Sequence, residues 1–138
     1  MHCRAHAAQL RRDENQIHAT GARIVAVGTG DERYARAFID DEDFPYLVLL
    51  DEDGAAARAA SVKRGGSWAL AGPRSIIQAT RAYAQGHRQK AIGKRPTQLG
   101  ATFVIAPGDE VLYEHLDRDV ADGAPLDQIL SSLARALD

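Results

Sequence analysis

Cysteine is nearly absent: Cys3 is the only one in 138 residues. A single thiol excludes an internal disulfide framework and points to a reducing compartment, here expected to be the cytoplasm. Methionine and tryptophan also occur once each, and aromatic residues make up only 6% of the chain. Few rings leave little with which to stack single-stranded nucleic acid, so no nucleic-acid partner is expected. Long apolar runs are missing too, which predicts no membrane span. The opening His2-Cys3-Arg4-Ala5-His6 has no apolar core of the kind a signal peptide needs. Internal repeats and low-complexity segments are absent. The acidic run Asp40-Asp41-Glu42-Asp43 has no spaced ligand loop around it, so it reads as a solvated turn, and no metal is expected.

Acid is absent from one whole third. Residues 54–108 carry nine Lys/Arg and no Asp or Glu. Residues 1–53 carry six Lys/Arg against eleven acids, and residues 109–138 carry two against eight. A basic insert, about 55–97, therefore separates two acidic segments within one expected domain, 1–138. Such an insert either packs against the acidic segments and stays solvated, which is favoured, or binds an anion. What is present is otherwise ordinary for a globular protein, with 45% hydrophobic and 26% charged residues. The Ala- and Arg-rich usage fits a GC-rich bacterial genome.

Cys3 stands at the head of a helical stretch, Arg4 to Thr20, with Ala7, Leu10 and Ile17 on its face and Gly21 as its stop. A helix start offers free N–H groups and a positive dipole end. Arg4 and His2 are adjacent, and His6 lies one turn on. All of these favour a thiolate and make Cys3 the candidate catalytic residue. The competing reading is a small buried apolar cysteine without chemistry.

The remaining elements alternate. Arg23 to Gly28 is a β-branched run that reads as a strand buried on both faces and hence parallel. Asp31 caps a helix over Glu32 to Asp40. Gly28-Thr29-Gly30 resembles a dinucleotide turn, but Arg33 stands where a third glycine is needed for close helix–strand packing. Leu47 to Leu50 is a second buried strand, followed by an Ala-rich helix to about Val62. Pro73 opens a helix to about Gln85, and a basic loop runs from Gly86 to Pro96. Ala101 to Ile105 and Glu110 to Leu116 form a hairpin across Ala106-Pro107-Gly108-Asp109, where Pro and Gly suit a type II turn. Pro125 to Leu137 is the clearest amphipathic helix, with Leu126, Ile129, Leu130, Leu133 and Leu137 on one face.

Helix, strand, helix, strand, insert, hairpin, helix is an α/β order. It is the plan of the thioredoxin-like sandwich without the strand that normally precedes the cysteine-bearing helix. An open middle leaves unpaired backbone groups and an apolar gap.

Several runs carry a family resemblance. Cys3-Arg4-Ala5-His6-Ala7-Ala8-Gln9-Leu10 resembles the segment after the redox site of the peroxiredoxin-like branch of the alkyl hydroperoxide reductase/thiol-specific antioxidant (AhpC/TSA) family. Ile24 to Gly30 and Phe44 to Asp51 are similar to its next two strands. Lys63 to Ser67, Leu70 to Arg74 and Gly86 to Gln89 are similar to that branch's insert, and Gln98 to Ile105 with Val111 to His115 to its hairpin. The resemblance implies reduction of peroxides or disulfides without metal or organic cofactor, using a dithiol electron donor as partner. It places Cys3 at the second cysteine of a C-x-x-C pair, the resolving or exchange thiol, with the first falling one residue before Met1. Gly100 occupies the place where mainstream members carry a thiolate-supporting arginine. The alternative reading is a redox-inactive thioredoxin-fold binding or scaffold module, with a second copy as one partner able to complete the sheet.

Overall fold

The computed structural model describes residues 2–62, 64, 98–119 and 122–137, and for residues 2–5 the backbone alone. The helix expected over Pro73 to Gln85, the loop from Gly86 to Pro96 and most of the basic insert lie outside the described residues.

The first helical stretch is two helices, α1 (His2–Arg12) and α2 (Glu14–His18). Asp13 breaks it, at φ −104 and ψ 12, where its side chain takes a hydrogen bond from Gln16. Asp competes for local backbone and side-chain partners and so tolerates a break that Ala or Leu would resist. The break leaves Ile17 buried in the core, while Ala7 is buried on α1.

Strands β1 (Val25–Gly28) and β2 (Leu47–Leu50) pair in parallel, with Val25 opposite Leu47 and Val27 opposite Leu49. The expected burial on both faces does not hold. Val25 and Val27 are 48% and 55% exposed, and Leu47 and Leu49 are 59% and 49% exposed. These four alternate residues share one face of the pair, which no described element covers. Between the strands runs α3 (Glu32–Glu42), whose N-cap Asp31 accepts the Tyr34 N–H at 3.0 Å. It ends two residues later than expected, at Asp43 in the left-handed region with φ 47. Phe44 is buried, and its ring lies 5.1 Å from Phe38 and 5.0 Å from Tyr46, tying α3 to β2.

The short α4 (Ala55–Ala59) is narrower than the Ala-rich run suggests. Its start explains the buried Asp51, whose carboxylate accepts the N–H groups of Ala56 and Ala57 at 3.0 Å each. Arg64 and Gln98 form an isolated antiparallel bridge, so the two ends of the basic insert meet.

Strands β3 (Ala101–Ala106) and β4 (Glu110–Leu116) form the expected antiparallel hairpin, with a register shift between Val104 and Ile105. Gly108 has φ +88, as the third residue of a type II turn requires. The final helix, α5 (Leu126–Arg135), begins after Pro125 and buries Ile129, Ser132 and Leu133. Leu137 falls beyond it and is exposed, contrary to its place in the apolar pattern. Ile17, Val104, Ala124, Ile129 and Leu133 make the central cluster, so the core sits where α2 and α5 cover the hairpin. Burying the Ile, Val and Leu side chains among them contributes about 1.5–3 kcal/mol each. Among the described residues no ladder joins the parallel pair to the hairpin. The result is an α/β thioredoxin-like arrangement.

Candidate functional site

Cys3 is the second residue of α1, so its backbone N–H belongs to the first turn, whose N–H groups have no intrahelical acceptor. No acidic residue stands in that turn. The first turn of a helix is the electropositive end of its dipole.

His6, one turn on, does not add a cation near pH 7. Burial lowers its pKa from the ordinary histidine value, and the neighbouring His115 lowers it further. Its Nδ1 lies against Gly123, only 3.0 Å from where a Cβ there would be. His6 thus joins α1 to the chain beyond β4, as a neutral group that can share a hydrogen bond but not stabilise a thiolate by charge.

Gly100, at the start of β3, is crowded rather than empty. A Cβ there would meet Asp117 Oδ2 at 2.3 Å, and the Asp117 N–H donates to the Gly100 carbonyl at 3.0 Å. A carboxyl group therefore fills the space beside the residue that the resemblance sets in the arginine's place. Burial is the main cause that pushes the Asp117 pKa up to about 6, with His115 opposing and Asp122 assisting.

His115, on β4, lies beside these groups. Its Nε2 is 3.6 Å from Asp117 Oδ1 and 3.5 Å from Asp122 Oδ1. Asp122 is held in turn by the Arg118 N–H at 3.0 Å and Nε at 2.9 Å, and the Arg118 side-chain bond is the chief reason its pKa is lowered. A histidine on a hairpin strand reads from sequence as structural. The signal that connects it to Asp117 is the two-residue spacing, which puts both on one face at the strand end. Nothing local in the sequence points to Asp122 or to the contact between Asp117 and Gly100.

Elsewhere the acidic run ending α3 is docked by Arg11, which donates to the Glu42 carbonyl and to the Asp43 carboxylate at 2.8 Å each. Tyr46 donates its hydroxyl to Glu14. Gly30 is required by the ring of Tyr34, which a Cβ there would meet at 2.6 Å. That packing accounts for the glycine without a phosphate. A shallow groove of about 360 Å³ between His18, Ile24, Val25, Tyr46 and Leu47 is mainly apolar and offers no nucleophile. Among the described residues no three His, Cys, Asp or Glu side chains converge as a metal site needs, and no helix is long and apolar enough to cross a membrane.

Comparison with known proteins gives the same direction. A family model described as AhpC/TSA antioxidant enzyme matches residues 9–119. The curated thioredoxin-like protein AAED1, chloroplastic, of Arabidopsis thaliana is 26% identical over 139 residues, covering 94% of this chain and 56% of that protein. The chain thus spans a little over half the length of the curated relative it matches.

Proposed function

The chain belongs to the AhpC/TSA antioxidant enzyme family, and from that premise we propose that it is a thiol redox protein in which Cys3 is the resolving or exchange thiol. The observation that carries the reading is the place of Cys3 in the first turn of α1, within a fold whose residues 9–119 match this family. In the resemblance's C-x-x-C pair the thiolate of the first cysteine, which falls one residue before Met1, attacks a peroxide oxygen and becomes a sulfenic acid, and an alcohol or water leaves. The Cys3 thiolate then attacks the sulfenic sulfur, a disulfide forms, and water leaves. A dithiol donor reduces that disulfide by exchange through a mixed disulfide. A disulfide substrate enters at the exchange step directly. The chemistry calls for a peroxide or disulfide substrate, a dithiol partner and no organic cofactor. The single cysteine favours a reducing compartment such as the bacterial cytoplasm, although the plant relative carries a chloroplastic name.

The test is the pH dependence of Cys3 alkylation, together with dithiol-driven turnover of peroxide and of a small disulfide. An exchange thiol titrates below the free-thiol range near pH 8.5, and Cys3→Ser abolishes turnover. A thiol that titrates in the ordinary range, with turnover unaffected by Cys3→Ser, overturns the assignment.

A second reading, a redox-inactive binding or scaffold module, is favoured by the open apolar face of Val25, Val27, Leu47 and Leu49. In it the face takes a partner, a second copy included, and Cys3→Ser leaves binding intact. A sedimentation measurement at several concentrations tests the homodimer.

A further inference from the structure

We draw no further inference here: the strongest candidate, the apolar face that Val25, Val27, Leu47 and Leu49 present on the paired strands β1 and β2, carries none because nothing among the described residues shows what covers it.

Discussion

Replacing Asp117 by asparagine should stabilise this protein at neutral pH and change nothing in acid. The carboxyl's pKa is about 6 in the fold against an ordinary 3.8, and burial is the main cause. Between those two values the folded chain binds more protons at this site than the unfolded chain. Stability therefore falls as pH rises through the window. The penalty is absent below the ordinary value and complete above about pH 6. A gap of about two units corresponds to a ceiling of about 3 kcal/mol. The side chain keeps 16% of its surface, and solvent reaches and screens it there. About 1–2 kcal/mol is the realistic size after that discount. Asparagine keeps the shape beside Gly100 and removes the charge. Urea unfolding at a series of pH values checks this. The difference in unfolding free energy between variant and wild type should be near zero around pH 4 and reach about 1–2 kcal/mol at pH 7.5. A variant less stable than the wild type at pH 7.5, or a difference that does not vary with pH, would refute the reasoning. It would mean that the charged carboxylate is held against Gly100 without penalty.

Three further outcomes test the packing on which the site depends. Gly30→Ala should destabilise the fold by about 1–3 kcal/mol by overpacking against Tyr34, whose Cβ and ring atoms leave no room, and a thermal melt will show it. Ile129→Ala should lose about 2–4 kcal/mol, because Ile129 is buried in the central cluster, and chemical unfolding measures it directly. Gly100→Ala should destabilise through its clash with Asp117, and the double variant with Asp117→Ala should recover most of the loss. A double-mutant cycle with no coupling would remove the contact from the argument.

Much of this molecule is legible residue by residue. The β-branched run ending at Gly28 and the Leu47 to Leu50 run are strands, and they pair in parallel. Pro107 and Gly108 do turn a hairpin, Asp31 does cap α3, and the leucine and isoleucine stripe of α5 does face the core. Each of these rests on interactions within a few residues: a period, a cap, a turn dihedral. The place of Cys3 at a helix start is of the same kind. The errors have one cause as well. A run of β-branched residues says that a strand forms, not what lies over its faces, so the exposure of Val25, Val27, Leu47 and Leu49 was not readable from it. An apolar stripe does not reveal that Asp13 turns the chain between two helices. The wedge of Asp117 against Gly100, and the meeting of His6, His115 and Asp122, join residues as much as 116 positions apart, since α1 supplies one and the loop after β4 another. Burial and charge at such a point depend on which strand ends and helix turns come together. Local propensity carries no information about that, so the meeting of His6 with Gly123 and His115 was decided by tertiary packing.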